Sequence, residues 1–294
     1  MVFAVICIVS FVIQNLCCKE YGSRFPDTIA AQSAMIVVSA SIMTAIMAMV
    51  RGVRFLNGGE WIIAVSFGFW FVVTLASMTL AMNYGHMGIT LLIQNASLIV
   101  PTLCSLIVWR ERLTAAKAVG IFFVLTMLAL STKDGSASAD EKTQRRWNRR
   151  LWVIFTLLAF VGDSLLSVLQ GSMAMSQTDP VVFTFWTSAF SAGFAALLFI
   201  AANHGRGNAL PSIKANAKAF WLLCAGIGFG TAGGNCFSIL ALTQLPGMVF
   251  YPLRQGAFVL VMWALGALIY REKVNRSGWL MLAFGFAGLV LLGI

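Results

Sequence analysis

The C-terminal part of this chain repeats its own middle. Arg110-Glu-Arg112 closes one apolar stretch and precedes another, and Arg271-Glu-Lys273 does the same 161 positions later. At that offset Met87 falls on Met248, Leu92 on Leu253, Gln94 on Gln255, Ala96 on Ala257 and Val100 on Val261, with no gap between them. An internal repeat at this spacing restricts the architecture more than any local propensity does. In an apolar chain it points to duplicated helical bundles, the construction of many secondary transporters.

Of the 294 residues, 60% are hydrophobic and 10% charged, and the mean hydropathy is +0.88. A soluble domain has no use for that much apolar surface, so the solvent is the bilayer. Ten apolar segments follow: 2–18, 28–50, 61–82, 88–109, 115–131, 151–174, 181–202, 220–242, 248–270 and 277–294. Each is near the length a helix needs to cross ~30 Å of hydrocarbon. The first lacks the basic leader and small-residue cleavage site of a signal peptide, and Gln14 and Asn15 interrupt it. The net charge of +10 does not indicate nucleic acid, because the basic residues sit in short loops and form no continuous face.

Most connections are tight, as in Thr243-Gln-Leu-Pro-Gly247, and make neighbouring helices antiparallel. The exception is 132–150, which is polar and small-residue-rich and then basic, as linkers are. It separates residues 1–131 from residues 151–294, five segments on each side. With five spans per half, the second copy enters the membrane from the opposite face. The expected fold is therefore all-α and integral to the membrane, with ten transmembrane helices as two inverted five-helix repeats. A solute site is expected near the midplane.

The turns Trp109-Arg-Glu-Arg-Leu113 and Tyr270-Arg-Glu-Lys-Val274, ahead of the last helix of each half, carry a family resemblance. So does the pattern of small residues and proline ahead of the fourth and ninth helices. Over nearly its whole length the chain resembles EamA-type members of the drug/metabolite transporter superfamily. The resemblance implies carriage of a small solute (amino acids, sugars, nucleotide sugars, phosphorylated metabolites and drugs are handled across the superfamily) and termini in the cytoplasm. Loop charge implies the opposite orientation. Five of the 20 Lys and Arg (Arg51, Arg54, Arg110, Arg112 and Lys117) lie on one side, Arg254 lies within a span, and the other fourteen lie opposite. The two criteria conflict, and the sequence leaves orientation open.

Polar side chains within spans are expensive and mark solute or ion paths. Asp163 is the one acid deep in a span, and Arg254 the one intramembrane base. Twelve residues into its segment, Asp163 lies ~18 Å from the starting face and ~12 Å from the far one. Arg254 enters from that far face to ~9 Å, and Asn235 lies ~8 Å from it. Asp163, Ser167 and Gln170 share a helix face, as do Tyr251, Arg254, Gln255 and Phe258. Gln14, Asn15, Gln94 and Asn95 form a weaker counterpart in the first half. Asp163, Arg254, Asn235 and Gln255 are thus expected to line a central cavity, with Gln94 and Gln14 across from them and Asn95 and Tyr251 completing the set. Interhelical hydrogen bonding explains the amides about as well. Glu111 and Glu272, at helix ends, are read as partners of loop or helix-end backbone.

Other chemistry finds little support. Gly162-Asp-Ser-Leu165 spells the GDSL string of a serine esterase family, but it falls in an apolar helix, and His86 and His204 are not in an Asp-x-x-His arrangement. The glycines between Gly226 and Gly234 lack the strand a Rossmann turn requires and suit close helix packing. The six cysteines show no metal-site or disulfide pattern. The expectation is no enzyme activity, no metal and no cofactor. It is instead a gradient-driven carrier of a small polar metabolite such as an amino acid or sugar-like solute, with the proton as a possible coupling ion. An efflux carrier of cationic drugs is the alternative, and a non-transporting structural or sensor protein a remote one. The partners are the solute and the lipid bilayer; oligomeric state is not legible. The absence of long extramembrane domains suits a bacterial inner (cell) membrane.

Overall fold

A computed structural model describes residues 1–25, 28–84, 90, 93–111, 113–138, 149–205, 213, 215–269 and 276–293. Among them are ten α-helices: α1 (Val2–Arg24), α2 (Ile29–Arg51), α3 (Glu60–Tyr84), α4 (Ile99–Ile107), α5 (Ala115–Ser138), α6 (Arg149–Met175), α7 (Pro180–Gly205), α8 (Ala217–Leu242), α9 (Gly247–Ile269) and α10 (Arg276–Gly293). A 3-10 turn, Ala96–Leu98, leads into α4. α1, α2, α3, α6, α7 and α8 are long and apolar enough to cross a membrane, whereas the apolar stretches in the other four are shorter. Large apolar side chains such as Ile62, Leu222 and Phe286 stay more than two-thirds exposed. That exterior matches lipid and would be unfavourable in water.

Helix ends follow from local chemistry. Thr28 caps α2, its hydroxyl accepting from Ala31 N at 3.2 Å, and Gly52 ends that helix at φ 71. Asp179 caps α7 by accepting from Val181 N at 3.0 Å, while Pro180 supplies a first-turn residue whose missing N–H costs nothing. Two helices outrun their hydrophobic segments. α1 continues to Arg24 because its polar side chains are satisfied along the helix: Asn15 Nδ2 donates to Phe11 O at 2.9 Å, and Arg24 pairs with Glu20. α5 extends to Ser138, into the stretch read as linker.

The helices sort into two compact units, each drawing on both halves of the sequence. Unit I comprises Val2–Thr79 and Leu169–Thr243, and unit II comprises Leu80–Val168 and Gln244–Ile294 together with Met1. In unit I, α8 packs against α1 and α2, and α2 against α7. Glycine makes the α8 contacts possible. A Cβ on Gly230 would lie 2.6 Å from Ser10 O and 2.8 Å from Gln14 N of α1, and one on Gly228 would lie 2.6 Å from Ser39 O of α2. Small residues of this kind drive helix association where lipid removes the hydrophobic driving force. Tyr21, Phe25 and Phe220 form an aromatic core, and the Tyr21 hydroxyl donates to Ala31 O at 2.8 Å. In unit II, α5 packs on α10 and α9 on α4, α5 and α10. Gly120 and Gly288 permit the α5–α10 approach, a Cβ on Gly120 lying 3.1 Å from Gly288 O.

Candidate solute site

Unit I contains a hollow. Water-sized molecules can centre themselves within about 40 Å³ of it, and the whole space with its open mouth is about 490 Å³. The smaller figure already accommodates ~3 waters. Its polar lining comes from four helices: Gln14 of α1, Ser39 of α2, Thr187, Ser188 and Ser191 of α7, and Thr231 and Asn235 of α8. At 1.5 Å per residue, Gln14, Ser39, Ser191 and Thr231 lie roughly 15–21 Å from the start of their helices, near mid-length. The rest of the wall is apolar, including the stacked pair Phe67 and Phe71 of α3, with ring centroids 6.4 Å apart.

The two amides differ in their state. Gln170 Nε2 donates to Asn235 Oδ1 at 2.9 Å, which holds the Asn235 side chain in place. Gln14 Oε1 is buried and has no hydrogen-bond partner. An unsatisfied buried carbonyl costs about 1–3 kcal/mol. A solute donor or a water in the hollow would recover much of that.

Unit II holds the second cluster. Asp163 of α6 accepts a short hydrogen bond from Ser97 Oγ, in the 3-10 turn before α4. That turn is irregular for a reason. Pro101 has no N–H to offer the Ser97 carbonyl, which accepts instead from Ser164 Oγ at 3.3 Å. Asn95, just before the turn, accepts from Gln255 Nε2 of α9 at 2.9 Å. Tyr251 is buried and donates to Ser167 O of α6 at 2.9 Å. α9 itself contains Pro252 near its start. Arg254 stands over the Phe250 ring, 5.8 Å from its centroid, and its charge acts on Asp163. Gln94 Oε1, like Gln14 Oε1, is buried without a partner.

The expected set is thus divided. Gln14 and Asn235 meet at the unit I hollow, while Asp163, Arg254, Gln255, Asn95, Gln94 and Tyr251 belong to unit II. Sequence reasoning missed the hydroxyls of α2 and α7. Their signal, serine and threonine at helical spacing in Thr187-Ser188 and Ser191, is too common in apolar helices to single out. Ser97 was missed for the same reason. Glu111 behaves as its helix-end position suggested, accepting from Gly247 N at 2.7 Å and Met248 N at 2.9 Å at the start of α9. Glu272, His86 and most of the 132–150 segment lie outside the described residues. Among the described residues no group of acidic, histidine or cysteine side chains could hold a metal.

No protein-family model and no curated protein matches the chain. Solved structures do. One crystal structure of a protein is similar with a TM-score of 0.69 and 15% sequence identity, over 99% of this chain and 94% of that one. At that identity the likeness is one of fold: this is a helical membrane protein.

Proposed function

We propose that the chain is a secondary carrier that moves a small polar metabolite, such as an amino acid or sugar-like solute, across a membrane by alternating access. The observation that carries this reading is the unit I hollow, with Gln14 and Thr231 near mid-helix and Asn235 closer to the end of α8, among apolar helices. Polar groups at such depth mark a solute path by default. The 161-residue offset supports ten spans arranged as two inverted five-helix repeats, 1–131 and 151–294, in the manner of EamA-type drug/metabolite transporters. Asp163 and Arg254, within unit II, are the charged residues proposed to take part in transport, and a bacterial inner membrane is the proposed location. The reading involves no cofactor and no covalent chemistry.

The test is flux in proteoliposomes, with a panel of labelled amino acids, sugars and nucleotide sugars. Saturable uptake that Gln14→Leu reduces by about tenfold or more is expected. Uptake no faster than in protein-free liposomes across the panel would remove the carrier reading.

A further inference from the structure

The unit I hollow has a polarity of its own. The hydroxyls in its wall reach carbonyls of their own helices, and Ser188 Oγ also meets Thr44 Oγ1 of α2 at 2.8 Å. Ser39 Oγ donates to Ile36 O at 3.3 Å, Thr187 Oγ1 to Thr184 O at 3.1 Å and Ser188 Oγ to Phe185 O at 2.8 Å. Ser191 Oγ donates to Thr187 O and Thr231 Oγ1 to Ile227 O, both at 2.7 Å. A hydroxyl has one proton and two lone pairs, so Ser39, Thr187, Ser191 and Thr231, each donating to its own helix, offer a ligand acceptor capacity, while Ser188 is engaged with Thr44. Gln14 Oε1 adds a buried acceptor with no partner. The strong donors left in the wall are the amide nitrogens of Gln14 and Asn235. None of the lining side chains is charged.

We propose that this hollow receives the ammonium end of a small solute with an apolar body, and rejects carboxylate and phosphate groups. An ammonium carries three donors and no acceptor, which complements a wall of spent hydroxyls and one unpartnered carbonyl. Phe67 and Phe71 in the same wall suit the apolar body of such a solute. The wall holds no counter-charge for either sign, so the choice falls to hydrogen bonding, and an anion would meet the lone pairs of Ser39, Thr187, Ser191 and Thr231. The assignment deepens the carrier reading and rests on it for its meaning, but it concerns binding and can be measured apart from flux.

The experiment compares two probes of one shape and opposite chemistry, 3-methylbutylamine and 3-methylbutanoate. Each is titrated at pH 7 into the full-length protein in detergent micelles and followed by calorimetry. The amine should bind at least tenfold tighter than the carboxylate. Thr231→Val keeps the shape of the wall and removes one acceptor, and should weaken the amine by about tenfold without helping it elsewhere. Equal binding of the two probes, tighter binding of the carboxylate, or amine binding untouched by both Thr231→Val and Gln14→Leu would each overturn the assignment. Binding of the amine with no flux of any solute would leave the assignment standing and remove the carrier reading. Flux of anionic solutes with no amine binding would do the reverse.

Discussion

The α1–α8 contact can be tested with one methyl group. A Cβ on Gly230 would sit 2.6 Å from Ser10 O, 2.8 Å from Gln14 N and 2.9 Å from Gln14 Cβ. Two of these are backbone atoms, which no side-chain rotation can clear. α1 and α8 must therefore part locally by several tenths of an ångström, and overpacking of that kind costs about 1–3 kcal/mol. Against it stands the helix-propensity gain of Gly→Ala, about 1 kcal/mol. Gly193 of α7 supplies the reference, because a Cβ there meets nothing within 4 Å. Gly230→Ala and Gly193→Ala share the propensity gain, so the difference between them isolates the packing cost. Unfolding in mixed micelles by SDS titration should place Gly230→Ala about 1–3 kcal/mol below Gly193→Ala. Because the displaced segment carries Gln14 into the hollow, solute affinity should fall in the same variant. Equal stability of the two alanine variants would refute the tight α1–α8 approach and with it the placement of Gln14.

Three further expectations concern unit II. Glu111→Ala removes a charged acceptor from the Gly247 and Met248 amides and should lower stability by about 1–2 kcal/mol in the same titration; an unchanged midpoint would mean that solvent serves those amides equally well. Arg254→Ala should reduce proteoliposome flux by tenfold or more while the protein still inserts and purifies, and normal flux would take Arg254 off the solute path. If Asp163 exchanges its partner for a proton during the cycle, flux should respond to an imposed pH gradient in the unmodified protein and not in Asp163→Asn. A gradient response that survives the substitution would place coupling elsewhere.

Hydropathy was enough to read the membrane environment and most helices, because burial in lipid requires long unbroken apolar segments and a satisfied backbone. Its limits are visible at Arg24 and Ser138, where helices continue past their apolar stretches, since hydrogen bonding along a helix does not stop where lipid does. Glu111 was legible as a helix-end residue, but the helix it serves, α9, begins 136 positions away in sequence. The intramembrane polar residues could likewise be picked out one by one from their cost. Their grouping could not. Depth arithmetic sets Asn235 beside Asp163 and Arg254, yet depth along a helix says nothing about which neighbour its face meets. Packing brings Asn235 to Gln170 and to the hollow that Gln14 lines, and brings Asp163 to Ser97 in a turn that Pro101 keeps irregular. The repeated segments were likewise read as successive halves, while the compact units combine helices from both, because the glycine faces of α8 and α10 find their complements in α1, α2 and α5, far away along the chain. Periodicity and composition determine what each helix is; the shape of its small-residue face determines which helix it joins, and that is settled only when the helices pack.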